Sequence, residues 1–338
     1  MKAIEARARR LGRSLRHFRR DPRLPRLQGS PSPLARAASR ASARLFGHPD
    51  VHPFLLDPLA ALRDADLPLL TPAVDAWEAA QRRRRQALLA RRGHPTVSVI
   101  MAAYDAEATL EAAARSVLDQ TYPPLELLVI DDRSHDRTRA VAEGLGDPRV
   151  TVIQSPGPRG AARARNHGLR VARGDVVTFQ DADDVSDPER FERQLSALLA
   201  HEGAVVSTCN ARRMDASGAT VTINGRRVTY GVITMMFHRA RVLDTIGYFR
   251  TELPISEDSE YLERMKAAFG EGASVDVFKT LYHQRFSQGS LLFSDGEVRE
   301  GEAGVEHRRS PEAEAAMRRF RADLRRIERG ELSPFVPF

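Results

Sequence analysis

The sequence holds a single cysteine and a single tryptophan. One thiol, Cys209, excludes an intrachain disulfide and any zinc site built from clustered cysteines. It lies in the apolar run AVVSTC, where a free cysteine reads as ordinary packing. No stretch approaches the roughly 18–20 uninterrupted apolar residues needed to cross a bilayer, and the arginine-dense N-terminus lacks the compact apolar segment of a secretory signal. The expectation is a cytosolic protein, peripheral to the inner face of the plasma membrane if its basic segment contacts lipid. A glycine-rich phosphate loop with a basic residue is also missing after the first predicted strand, where AAYDAEATL stands.

The formal charge of +7 is unevenly spread: residues 1–95 carry 20 Lys+Arg against 8 Asp+Glu, so the remainder is net acidic. Residues 1–95 therefore form an Arg-rich extension, helical in part and irregular in part. Helices are expected over about Lys2 to Arg20 and Ala73 to Arg92. The stretch PRLPRLQGSPSPLARAASR between them has too many Pro and Ser for a continuous helix. Such a segment suits an anionic membrane surface, at about 1 kcal/mol per basic residue. Aromatic residues do not interleave with the arginines as a stacking platform requires, so no nucleic-acid partner is expected.

From Val97 the texture changes to short β-branched runs separated by amphipathic stretches, the alternation of a parallel sheet with crossover helices. TVSVIMA, LELLVID, RVTVIQ and GDVVTFQD read as strands. AEATLEAAARSVLDQ, DRTRAVAEGLG and GAARARNHGLRVA read as helices, with Asp105 as a cap for the first. Beyond Asp184 the expectation is a helix near Pro188–Ala200, the strand AVVSTC, a hairpin in MDASGATVTING, a helix over SEDSEYLERM and a strand at TLYHQRF. Residues 294–338 read as a charged helical tail.

Ligands of open α/β sheets bind at the carboxyl ends of the strands. Three polar clusters fall there: Ala103-Tyr104-Asp105, Asp131-Asp132-Arg133-Ser134 and Asp181-Ala182-Asp183-Asp184. Three carboxylates within four residues repel one another unless a cation or donor neutralises them. Carboxylate, phosphate oxygen and water make the ligand set of Mg²⁺ or Mn²⁺. Of Asp131 and Asp132, one suits a local capping role and the other is free to accept an N–H from a nucleobase.

The runs PTVSVIMAAYDAE, SVLDQTYPPLELLVIDDRSHDRT and GAARARNHGLRVARGDVVTFQDADD resemble the nucleotide-binding half of family 2 glycosyltransferases with the inverting GT-A fold. The resemblance implies a Rossmann-like mixed sheet with flanking helices over residues 96–293. Residues 96–200 would bind the nucleotide sugar and 201–293 the acceptor. It further implies that Ala102, Tyr104, Asp132, Arg165, Asp181 and Arg285 contact the nucleotide sugar, that Asp183 with Asp181 binds Mg²⁺ or Mn²⁺, and that Asp184 supports their loop. Asp258 is implied as the general base with Glu257 as its support, and the Arg165-Asn166 pair as part of the cleft wall. His283 is a further candidate beside Arg285, and His238 with Arg239 for closing the acceptor cleft.

The activity implied by the resemblance is sugar transfer from a nucleoside diphosphate, expected to be UDP, to a glycan or lipid-linked acceptor in cell-surface polysaccharide or glycoconjugate synthesis. The Gln-x-x-Arg-Trp motif of processive members is absent, which favours addition of single sugars. Two other readings remain: a nucleotidyltransferase, which the missing glycine-rich loop opposes, and a non-catalytic nucleotide-sugar-binding module, which has no need of Asp258.

Overall fold

The computed structural model describes residues 71–224, 228–253, 256–270, 272–286, 296–301 and 304–338. The helix expected over Lys2–Arg20 lies outside them. A compact unit spans Arg83–Phe338 and holds the whole sheet.

The strands and helices are β1 (Val97–Ala103), α2 (Leu110–Leu118), β2 (Leu125–Asp131), α3 (Thr138–Glu143), β3 (Val150–Gln154), α4 (Ala161–Val171) and β4 (Val176–Phe179), preceded by α1 (Thr71–Arg91). They follow the alternation read from the sequence. β1 pairs in parallel with β2 and with β4, and β2 with β3. The order β3-β2-β1-β4 reverses the direction of travel between β1 and β4, which opens a crevice at their carboxyl ends.

The second half adds β5 (Val185–Ser186), α5 (Arg190–Ala200), β6 (Val206–Met214), β7 (Thr220–Val221), β8 (Val228–His238), α6 (Arg239–Ile246), α7 (Glu257–Phe269) and β9 (Ser274–Arg285). Here β8 runs antiparallel to β4, β6 antiparallel to β8, and β9 parallel to β6. The C-terminal ends of β6 and β9 therefore return to the same side as the crevice. Among the described residues the strands form one nine-stranded mixed sheet with β5 at its far edge and β7 attached to β6.

Two apolar clusters lie against the sheet. One gathers Ile100, Ala164, Phe179, Phe237, Phe249, Tyr261 and Cys209; the other gathers Val97, Val99, Val117, Leu127, Phe191 and Leu195. Buried aliphatic and aromatic side chains of this size stabilise a fold by about 1.5–3 kcal/mol each. Cys209 is one of them, as its apolar context predicts. Phe249 stacks on Tyr261 with ring centroids 4.1 Å apart. Helix α4 approaches β1 so closely that a side chain at Gly168 would collide with Ile100.

Residues 294–338 correct the expectation of a helical tail. A two-stranded hairpin, β10 (Gly296–Gly301) and β11 (Gly304–Arg309), precedes α8 (Pro311–Glu328). The last residues then return to the domain, where Val336 exchanges backbone hydrogen bonds with Ile246 (3.0 Å) and Tyr248 (2.9 Å).

Candidate active site

Strand β4 delivers Asp181–Asp184 to the crevice mouth. Asp184 turns inward and is buried; its Oδ1 accepts the Arg285 backbone N–H at 2.7 Å. Burial, then the charges of Asp181 and Asp183, raise its carboxyl well above the usual carboxylate range. Asp184 thus braces the loop instead of capping a helix. The backbone N–H of Asp181 donates to the Tyr282 hydroxyl at 3.0 Å. Asp183 is the outward member, with no hydrogen-bond partner for its carboxylate among the described side chains. Crowding by the surrounding protein and then the charge of Asp181 push it up to about 6, while Arg285 pulls it down.

A cation would offset the repulsion among these carboxylates. Among the described residues no cluster of three or more His, Cys, Asp and Glu side chains is built to hold one. The carboxylates placed so that they could hold an ion here are Asp183 and Asp181, and such an ion would need phosphate oxygens and water to complete its shell, the manner in which Mg²⁺ is usually held.

Arg165, nearly buried on α4, joins the two halves of the domain. One of its terminal nitrogens meets Asp181 Oδ1 at 3.0 Å and the other meets Glu257 Oε1 at 2.5 Å. Burial lowers its pKa, but Asp181, Glu257 and Asp258 outweigh that and the net shift is upward. Helix α7 starts at Glu257, so its first turn holds Asp258 beside the same guanidinium. Among the described residues Asp258 accepts only the neighbouring Ser259 N–H, at 2.6 Å. Burial and the charge of Glu257 push its carboxyl up to about 6 against the pull of Arg165. The acidic first turn therefore serves more than the helix dipole.

The corner expected to take the nucleobase lies at the ends of β1 and β2. Asp131 takes the local role, accepting Ser134 N–H at 3.1 Å. Asp132 Oδ2 accepts Gly160 N–H at 2.7 Å, whereas its Oδ1 is buried with no hydrogen-bond partner among the described residues, as is the nearby Ser155 hydroxyl. A buried acceptor left unmet costs about 1–3 kcal/mol, which a ligand donor recovers. Tyr104 is 42% exposed, and the Arg159 guanidinium lies over its ring, 4.5 Å from the centroid, and contacts its hydroxyl. Asp105 does not cap α2. It adopts φ of +45° and its Oδ1 accepts the His135 N–H at 2.7 Å, tying the β1 loop to the β2 loop. Arg133 and Ser256 also have positive φ, so three non-glycine residues in the left-handed region adjoin the crevice.

The remaining candidates divide. Ala102 is half-buried near the end of β1 and packs against the core. Asn166 points away from the crevice and exchanges two hydrogen bonds with the Phe249 backbone, at 2.9 and 2.8 Å. Arg285 ends β9 beside the carboxylate loop with its side chain exposed. His283 is engaged by Arg212, whose Nε donates to Nδ1 at 3.0 Å. His238 and Arg239 are at the opposite end of the sheet: β8 runs antiparallel to β4, and Arg239 bonds to Asp175 and Gly174, before β4 begins. They do not border the crevice. Sequence reasoning missed Arg159, Gln180 and Arg190; the one available signal was a polar Gln180 ending a strand otherwise made of apolar and β-branched residues.

A mixed sheet whose switch point carries a carboxylate loop, a buried arginine and a facing acidic helix turn defines a domain of the GT-A type. Residues 98–251 match the glycosyl transferase family 2, and the chain carries a domain of that family. It is 43% identical over 103 residues to the Escherichia coli UDP-Glc:alpha-D-GlcNAc-diphosphoundecaprenol beta-1,3-glucosyltransferase WfgD, covering 30% of this chain and 41% of that protein. To the Rhizobium meliloti succinoglycan biosynthesis protein ExoO it is 30% identical over 210 residues, 62% of this chain and 53% of that one. The chain thus spans about half or less of the length of these relatives. Among solved structures, S. aureus TarS 1-349 in complex with UDP-GlcNAc superposes with a TM-score of 0.49 at 23% identity, covering 61% of this chain and 62% of that one.

Proposed function

We propose that this chain is an inverting glycosyltransferase that moves a sugar from UDP to a hydroxyl of a glycan or lipid-linked acceptor in cell-surface polysaccharide or glycoconjugate synthesis. The observation that carries this reading is the Arg165 junction, which binds a donor-side carboxylate, Asp181, and an acceptor-side carboxylate, Glu257, to one guanidinium.

Glu257 is committed to Arg165, so Asp258 is the acid free to take a proton. In a single displacement the acceptor O–H gives its proton to Asp258 as its oxygen bonds to the anomeric carbon. The bond from that carbon to the phosphate oxygen breaks, and UDP leaves with the electron pair. Asp183 and Asp181 would hold a Mg²⁺ or Mn²⁺ ion, which would supply Lewis-acid stabilisation of charge on the leaving diphosphate.

Uracil fits the base corner by its hydrogen-bond pattern. With Oδ2 occupied by Gly160, Asp132 offers one oxygen, which matches the single imide N–H of uracil. Guanine presents two adjacent N–H groups, and cytosine sets a lone pair against the carboxylate. Titration calorimetry with UDP, GDP and CDP, with and without Mn²⁺, tests this. UDP should bind tightest and more tightly with Mn²⁺; binding of no nucleotide in either condition would remove the reading.

Arg83, Arg84 and Arg91 on α1 are exposed, in keeping with contact between the basic extension and an anionic membrane. Vesicles containing phosphatidylserine should co-sediment the full chain and leave a chain beginning at His94 in solution. Equal sedimentation of the two would contradict that contact.

A further inference from the structure

Behind the Asp181–Asp184 loop, Arg190 at the start of α5 is 0% exposed. It forms no ion pair among the described residues. Its guanidinium meets neutral acceptors: Gln194 Oε1 at 2.9 Å, Gln180 Oε1 at 3.2 Å, Ser186 Oγ at 2.9 Å, Thr178 Oγ1 at 2.8 Å, and the carbonyls of Phe179 at 3.0 Å and Thr234 at 3.3 Å. A buried cation without a contacting carboxylate is an expensive way to fill a core, even when every N–H is matched. Packing alone favours an apolar residue here.

Gln180 shows what the arrangement holds in place. Its amide nitrogen donates to the carbonyl of Asp184 at 2.8 Å and to that of Asp181 at 3.3 Å, closing the two ends of the loop on one side chain. An amide can flip, exchanging donor for acceptor. That exchange is blocked, because the Ser186 hydroxyl at 2.6 Å and Arg190 both donate to Gln180 Oε1. Flipping would set N–H against N–H and carbonyl against carbonyl. Arg190 thereby fixes the orientation of Gln180, and Gln180 fixes the span of the loop.

We propose that Gln180 and Arg190 are positioning residues for the cation: they hold the loop in the shape that presents the Asp181 and Asp183 carboxylates to one ion and the donor diphosphate. This rests on the reading that the loop binds a divalent cation. Groups that orient metal-binding loops typically contribute about 10–100-fold to metal affinity.

Manganese binding is read by electron paramagnetic resonance in the presence of UDP, and UDP binding without metal by calorimetry. Gln180→Leu removes both amide donors. It should weaken Mn²⁺ binding by about 10–100-fold while metal-free UDP affinity falls far less, because Asp132 and Tyr104 are untouched. Unchanged Mn²⁺ affinity, or equal loss in both measurements, would overturn the proposal, since a merely structural role lowers both together. Should Gln180→Leu fail to fold, Ser186→Ala removes only the hydroxyl that holds Gln180 Oε1, and a several-fold loss confined to Mn²⁺ is expected. No loss there overturns it equally. An unaltered protein that binds UDP without responding to Mn²⁺ also refutes this proposal, whereas one that binds no nucleotide refutes the glycosyltransferase reading itself.

Discussion

Glu257 and Asp258 are neighbours in sequence with different surroundings: the first is held by Arg165, and the second is the base of the proposed transfer. Asp258→Asn should lower kcat at least 100-fold, the lower range for loss of a positioned base, with UDP affinity unchanged; retained transfer would show the base to be elsewhere. Its pKa near 6 sets the pH response. With donor and Mn²⁺ saturating, which keeps Asp183 ionised, kcat should fall about tenfold per unit below pH 6. The same shift has a stability sign. A carboxyl raised in the folded state favours folding below its unfolded pKa of about 3.8, and this contribution is lost as pH rises through about 6. At pH 7 the carboxylate therefore costs stability, and Asp258→Asn should stabilise by about 1–3 kcal/mol in urea denaturation. The placement of Tyr104, Asp132 and Asp181 at the crevice was legible because each lies at the end of a predicted strand. The Arg165–Glu257 pair, 92 residues apart, was not, since no local periodicity records which distant acid a buried arginine meets.

At the scale of elements, the segment 334–338 returns to the region that supports α7. Arg264, buried on α7, donates to the carbonyls of Ile246 (2.5 Å), Tyr248 (2.7 Å) and Pro334 (3.0 Å). Gly247 has φ of +68°, and a side chain there would collide with the Val336 carbonyl. Gly247→Ala combines a left-handed backbone with that collision, so a loss of about 2–4 kcal/mol is expected in thermal or chemical denaturation. A loss below about 0.5 kcal/mol would mean that the segment does not bear on the domain. The strands and crossover helices of the first half were legible from alternation alone. SPFVPF was not, because a short irregular stretch has no period, and its role depends on a glycine some ninety residues earlier. The hairpin of β10 and β11 was lost for a related reason: its residues are too charged to show an alternating pattern.

Across the whole molecule, the parallel half supplies the corner proposed for the base and the carboxylate loop, and the antiparallel half brings Asp258, Glu257 and Arg285 to the same crevice. Neither half is a site alone. The parallel alternation of the first four strands could be anticipated, whereas the return of β6 and β9 to the crevice could not, because it follows from antiparallel pairing of β8 with β4. That pairing also removes His238 and Arg239 from the site. The central claim, single displacement at a site shared by the two halves, is tested most directly by the anomeric configuration of the transferred sugar. Proton NMR at early times, with a UDP-α-linked sugar and water or a lipid-linked glycan as acceptor, should show the β-anomer as the first product; an α-anomer would contradict the account.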